Sequence, residues 1–416
     1  MSEEKRPRAR RVRSSADPVR HGQLTPRSPL RSLLGFIGGA LAVVLIAMAS
    51  VAGIAVWDIS RGMNQGVELQ GAGNALPPLL GELEGSFNIL LVGSDSREGY
   101  AVDEGEGSGG NLNDVNMLMH VSADHKQVTV VSFPRDMMVP IPECPDGEGG
   151  FYPAMSAQPL NSAIGYGGLA CVAITLSALT GLEIPYAAMI GFNGVMKMAD
   201  AVGGVEVCIA QDINDPESAI QLAAGTHELS GQEALLFIRN RHGVGDGSDL
   251  ARIGSQQVFM SSLARKIMTS DTLTDVTKVY KLAQASAESL TLSSNIANVT
   301  ALASLAWTVR NVDIGQIAFV RYPVVSYEFD SNKVAPDYVG AEILLDAIST
   351  DKNVEFTQNS DNGVTVEAVP SPEPQISSSS APESAPPVAT AEPVKEVAIL
   401  PSNAVGQLAN QNSCVG

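Results

Sequence analysis

Residues 33–57 are twenty-five consecutive positions without one charge, and they constrain this 416-residue chain more than any other feature. As a helix rising 1.5 Å per residue the stretch spans roughly 37 Å, enough to cross a hydrocarbon core of about 30 Å with some tilt. Trp57 closes the run where an interfacial aromatic belongs, and residues 1–32 carry nine Lys/Arg against Glu3, Glu4 and Asp17. That distribution predicts a basic cytoplasmic tail over 1–32, a transmembrane anchor over 33–57, and the remainder of the chain outside. A cleavable signal peptide competes with the anchor, but its apolar region would run about 7–15 residues. A buried soluble helix is the blander alternative. The net charge of −19 then separates into +6 before the span and −25 after it. A sequence pI near 4.6 argues against nucleic acid as a partner, since nucleic-acid-binding domains carry a basic footprint.

Beyond the span, residues 58–85 are rich in Gly and Gln with little periodicity and read as a stalk. Phe87 to Gly93 is a mostly apolar run ending in glycine, the pattern of a buried central strand. Further strands are expected at 115–121, 127–133, 205–210 and 314–320. Helical spacing is expected at 169–179, 192–201, 231–239, 252–269, 275–290, 296–310 and 337–348. Strands mixed with helices predict an α/β or α+β domain over 86–350, with helices over a central sheet. From 351 to 398 the chain turns Pro-, Ser- and Glu-rich, including four consecutive serines at 377–380, and reads as a disordered linker. Residues 399–416 form a short tail.

Polar residues concentrate where the strands end. Asp95 follows the first strand, Asp114 opens the second, Arg135-Asp136 follows the third, and Arg239, Arg241, Asp249, Arg252 and Gln256 come later. Loops at strand ends are where a rigid scaffold builds sites. Asp95, Asp114 and Asp136 supply hard oxygen ligands for a divalent cation, and the arginines supply fork-shaped donors for phosphate oxygens. Arg252 and Gln256 stand at i and i+4, on one helix face. Carboxylates beside an arginine cluster suit metal-assisted phosphoryl chemistry. Each residue also has an ordinary reading: Asp95 as a turn cap, Arg135-Asp136 as a surface pair, and Arg239 and Arg241 paired with Asp246 and Asp249. The run Gly243 to Ser248 lacks the Gly-Lys-Ser/Thr of a P-loop, and the five histidines lack zinc-ligand spacing.

The segments Asn88-Ile89-Leu90-Leu91-Val92-Gly93-Ser94-Asp95-Ser96-Arg97, Ser132-Phe133-Pro134-Arg135-Asp136, Leu160-Asn161-Ser162-Ala163 with Gly167-Gly168, and Phe237-Ile238-Arg239-Asn240-Arg241 leading to Asp249-Leu250-Ala251-Arg252 and Gln256-Gln257 resemble the LytR-CpsA-Psr family. Order and spacing match over roughly 86–270. The resemblance implies the family's α/β domain with a central mixed sheet behind one N-terminal transmembrane helix. It also implies an extracytoplasmic, Mg2+-dependent phosphotransferase, which moves a glycopolymer from a polyprenyl-pyrophosphate carrier onto a peptidoglycan hydroxyl. By position, Asp95 and Asp114 would hold Mg2+ (or Mn2+). Arg135, Arg239, Arg241, Arg252 and Gln256 would grip the pyrophosphate, and Asp136 or Asp249 would orient the arginines or take the acceptor's proton. The polyprenyl tail needs an apolar slot that the sequence does not place.

Two positions depart from the family pattern: Leu112 and Ser255 stand where arginines often occur. They keep open a carrier-binding scaffold without turnover. An envelope-linked transcriptional attenuator is the other alternative, although residues 1–31 contain nothing like a helix-turn-helix. An exported domain permits disulfides. Cys144 and Cys171 flank the loop 147–152 and are the preferred pair, with Cys208 then free or joined to Cys414; four cysteines allow three full pairings.

Overall fold

The computed structural model describes residues 29–63, 66–69, 83–95, 112–268, 275–357, 364–366 and 396–416. The basic residues 1–28, much of the stalk and the Pro/Ser-rich stretch 370–393 lie outside them. Two compact units divide the chain at residues 54 and 55. The first unit contains most of helix α1 (Pro29–Gly62), and among the described residues one segment, Leu45–Gly62, is long and apolar enough to cross a membrane.

In the second unit the first strand, β1 (Phe87–Ser94), forms on the mostly apolar run that opens the domain. Alternate side chains of a strand point to opposite faces, and here both faces are buried. Leu90 and Val92 enter one hydrophobic cluster, while Phe87 and Ile89 enter another. That explains a mostly apolar run, broken only by the buried Asn88, rather than a polar alternation. β1 pairs antiparallel with β2 (Asn113–Val121), which pairs antiparallel with β3 (Val128–Phe133). On its other side β1 runs parallel to β4 (Tyr186–Ile190). With β7 (Leu290–Leu292), β8 (Ile317–Arg321) and β12 (Gly406–Leu408) these make a seven-stranded mixed sheet in the order β7-β4-β1-β2-β3-β8-β12.

Helices α2 (Ile164–Thr180) and α8 (Tyr338–Ser349) cover one face of the sheet, and α7 (Val299–Val309) covers the other. A third cluster joins α3 (Phe192–Ala201), α4 (Gly231–Arg239) and α5 (Asp249–Met268) to a four-stranded sheet. That sheet is ordered β6 (Gly225–Leu229), β5 (Val205–Ile209), β13 (Ser413–Val415) and β11 (Val364–Val366). Helix α6 (Val276–Ser289) begins at Asp275, whose carboxylate accepts from the N–H groups of Thr277 and Lys278. The strand expected at 314–320 starts later: Ile314–Gln316 is a 3-10 turn capped by Asp313, and β8 follows it.

The C-terminal segment is woven into the fold. Leu400 and Ala404 enter the first cluster, Ala409 the second and Val415 the third. Cys414 of β13 lies opposite Cys208 of β5, and the two are joined by a disulfide. The second disulfide joins Cys144 to Cys171. Gly167 makes that approach possible, because a Cβ there would sit 2.6 Å from the Pro145 carbonyl oxygen and against both cysteine Cβ atoms. Part of the stretch expected to be a linker is strand: Asn353–Glu355 pairs with Val397–Ile399, and β11 pairs with β13.

Candidate functional site

The site begins with an irregularity in the β1–β2 ladder. Gly93 pairs with Val115 and Ser94 with Asn113, which leaves Asp114 as the extra residue of a bulge. A bulge re-aims the side chain it carries. Gly93 suits the crowding, since a Cβ there would stand 2.8 Å from the Val115 Cβ. Asn113, fully buried, donates to Asn116 and to the Leu160 carbonyl, and accepts from the Ile164 N–H. It thereby clips the Leu160-Asn161-Ser162-Ala163 motif onto β2. The same motif supports the next functional residue: the Asn161 N–H donates to the Arg135 carbonyl at 3.0 Å and the Leu160 N–H to Met137 at 2.9 Å.

Arg135 is the hub of an ion-pair network. Its Nη1 donates to Asp114 Oδ1 at 2.8 Å, its Nε stands 3.6 Å from Asp136 Oδ2 and 3.5 Å from Asp249 Oδ1, and its backbone N–H donates to Asp249 Oδ2 at 3.2 Å. Arg252 closes the network from α5, donating to Asp249 Oδ1 at 2.5 Å and to the Asp114 carbonyl at 3.3 Å. Burial opposes the charge on Arg135, but Asp114, Asp249 and Asp136 outweigh it and hold its pKa above the ordinary value. Burial pushes the Asp249 carboxyl up while Arg252 and Arg135 pull it back. Two guanidiniums and one N–H converge on Asp249, but burial is the largest influence and leaves its carboxyl above the ordinary value.

This network reaches a cavity of about 260 Å3 through Asp114 and Arg252, with Arg135, Asp136 and Asp249 behind them and outside the lining. Asp114, Arg239, Arg252 and Gln256 line its polar end, and Leu91, Met117, Phe192, Phe259 and Leu263 are among the apolar residues lining the rest. Arg252, Gln256, Phe259 and Leu263 fall on one stripe of α5, so one helix supplies both the charged end and the apolar wall. The Arg239 guanidinium lies 4.5 Å over the Phe192 ring, and Gln256 Nε2 donates to the Ile238 carbonyl at 3.2 Å.

The expected residues do not all converge. Asp114, Arg135, Asp136, Asp249 and Arg252 form one network, and Arg239 and Gln256 share the cavity with it. Asp95 stands at the end of β1, where its Oδ1 accepts the Leu112 N–H at 2.8 Å. Arg241 is not among the residues lining the cavity; its backbone N–H donates to the buried Asp215. Asp246 accepts from Ser248 in its own loop, and His242 pairs with Glu217 at the surface. Ser255 is buried with its hydroxyl on the Ala251 carbonyl of its own helix.

Asn113 stands out in the sequence beside Asp114 at the strand end, whereas sequence reasoning passes over Asp215, Phe192 and Lys333. Lys333 reaches Asp136 Oδ1 at 3.0 Å across 197 positions with no local motif to announce it. The Nε groups of Arg135, Arg241 and Arg252 are buried without a hydrogen-bond partner among the described residues.

Among the described residues no three His, Cys, Asp or Glu side chains form a metal-holding group. A hard cation that keeps waters needs only one or two carboxylates; of the two expected ligands, Asp114 lines the cavity and Asp95 follows β1 outside the lining.

Residues 63–351 match the model of the LytR_cpsA_psr family. Cell wall biosynthesis protein LcpA of Corynebacterium glutamicum is 30% identical over 327 residues, which cover 72% of this chain and 60% of LcpA. The probable cell wall biosynthesis protein LcpB of that organism is 31% identical over 76% of this chain and 72% of its own length. The polyisoprenyl-teichoic acid–peptidoglycan teichoic acid transferase TagT of Bacillus subtilis is 24% identical over 76% of this chain and 95% of its own. Among solved structures, the LytR-Csp2A-Psr enzyme from Actinomyces oris has the same fold, with a TM-score of 0.51 and 22% identity over 69% of this chain and 96% of that one. With the family model matching well over half of its length, the chain belongs to the LytR-CpsA-Psr family.

Proposed function

We propose that the chain is a membrane-anchored, extracytoplasmic phosphotransferase. It moves a glycopolymer from a polyprenyl-pyrophosphate carrier onto a hydroxyl of peptidoglycan. The observation that carries this reading is the buried Arg252 Nε–H, without a hydrogen-bond partner among the described residues, on a side chain that lines an apolar cavity together with Arg239 and Gln256. Buried donors without partners call for an explanation, and a ligand with anionic oxygens at one end and a hydrocarbon at the other supplies one. The names of LcpA and TagT agree with a role in the cell wall. The basic residues of 1–32 favour a cytoplasmic tail and place the second unit outside.

In this reading the prenyl chain occupies the apolar part of the cavity, and Arg135, Arg239, Arg252 and Gln256 face the pyrophosphate. Asp95 and Asp114 would hold Mg2+ (or Mn2+), which when bound screens the charge of the phosphates. The acceptor hydroxyl oxygen bonds to the glycan-linked phosphorus, the bond from that phosphorus to the bridging oxygen breaks, and polyprenyl phosphate leaves. Asp249, gripped by two guanidiniums, orients them; Asp136, on the same network, takes the hydroxyl's proton. Arg241, away from the cavity lining, would act through the loop it anchors.

The test is turnover by the full chain in detergent, followed as release of polyprenyl phosphate from a polyprenyl-pyrophosphate-linked glycan. Arg239→Ala removes a guanidinium that, among the described residues, stacks on the Phe192 ring, and should leave the fold intact while lowering turnover at least about 100-fold. Wild-type turnover in that variant would remove Arg239 from the site. Binding without product in the wild type would favour a carrier-binding scaffold.

A further inference from the structure

We propose that Lys333 is a positioning residue that sets the charge of the anion-binding site, a role that rests on the pyrophosphate reading above. Lys333 is not a loose surface lysine. It ends the turn between β9 (Val324–Ser326) and β10 (Val334–Pro336), where its N–H donates to the Asp330 carbonyl and its carbonyl accepts from Tyr327, both at 3.0 Å. The next residue, Val334, forms a parallel bridge with Met137, the neighbour of Asp136, and packs against the core. Backbone pairing therefore delivers the ammonium to Asp136, where Nζ donates to Oδ1 at 3.0 Å with both side chains largely shielded from solvent.

Charge counting shows what the contact does. The network holds three carboxylates, Asp114, Asp136 and Asp249, and three cations, Arg135, Arg252 and Lys333. It is neutral only with Lys333. Without that ammonium the network is one charge more negative toward an anionic ligand. Asp136 would also be left with Arg135 Nε, at 3.6 Å, as its one cationic partner in the network. Attraction would then draw Arg135 toward Asp136 and away from the 2.8 Å contact with Asp114 that places it beside the cavity. Lys333 satisfies Asp136 and so leaves Arg135 where a phosphate oxygen can meet it.

The experiment measures farnesyl pyrophosphate binding by calorimetry on the full chain in detergent, with magnesium held constant. Lys333→Met should weaken binding about tenfold, as one unscreened charge near a phosphate implies at low effective dielectric. Lys333→Arg should stay within about threefold of wild type, because it restores the charge. The double variant Asp136→Asn/Lys333→Met is neutral again and should recover binding while failing in transfer, which splits affinity from turnover. A merely structural ion pair would lower Tm without this recovery. Unchanged affinity in Lys333→Met, or a double variant as weak as the single one, overturns the proposal. If Lys333→Met does not fold, the balanced double variant decides by the same criterion. Absence of binding in the wild type would sink the pyrophosphate reading and this proposal together, whereas an unaffected Lys333→Met in a binding wild type sinks this proposal alone.

Discussion

The two ends of the cavity are built on opposite principles. At the polar end nearly every charged group is held by more than one partner: Asp249 by Arg135, Arg252 and a backbone N–H, and Arg135 by three carboxylates. At the apolar end space is left open among Leu91, Met117, Phe259 and Leu263. A packed interior rarely leaves such a void, because each unfilled volume forfeits dispersion contacts. The polar end is pre-organised to hold a geometry, whereas the apolar end leaves its space unpacked. The difference teaches that the charged residues here serve position as much as attraction.

Breaking the polar end should cost most. Arg252→Ala leaves Asp249 buried beside a weakened network, and removing one partner of such a pair typically costs about 3–5 kcal/mol. Chemical denaturation should show that loss, and turnover should vanish with it. Stability close to wild type would mean that Arg135 alone satisfies Asp249.

A smaller effect is expected at Asp215, which supports the Arg241 loop rather than the cavity. Burial opposes its ionisation, but the Ser218 hydroxyl and the N–H groups of Ser218, Arg241 and Glu217 outweigh that and hold its carboxyl below the ordinary value. A depressed folded-state pKa contributes stability that is present above the unfolded value of about 3.9 and is lost as pH falls through the folded value. Asp215→Asn should therefore lower Tm by a few degrees at neutral pH, with the gap closing in acid. A gap that persists in acid would assign the loss to packing instead.

Much of this architecture was legible because it is local. β1 announces itself as a mostly apolar run, and α5 as a long helical period from Arg252, although the helix begins three residues earlier at Asp249, the end where a helix favours an anion. The motif residues lie at strand ends and on one helix, so adjacency in sequence becomes adjacency in space. What was not legible is non-local or short. β12 and β13 are three residues each, too brief for any periodicity, and they exist because β8 and β5 offer them a partner. Leu112 shows a further limit: its backbone, not its side chain, brackets Asp95. Lys333 and Asp136 meet only because a hairpin folds back onto Met137.

The central claim is one cavity holding a pyrophosphate at its charged end and a hydrocarbon at the other, and a ladder of ligands measures it most directly. Affinity of the full chain should rise from inorganic pyrophosphate to farnesyl pyrophosphate by at least about 100-fold, since at about 0.8 kcal/mol per buried CH2 roughly three or four buried carbons already supply the ~2.7 kcal/mol required. Ala188→Phe, which fills the apolar end, should erase that rise while leaving inorganic pyrophosphate binding unchanged. Affinity independent of chain length, or a rise that survives Ala188→Phe, would contradict the account.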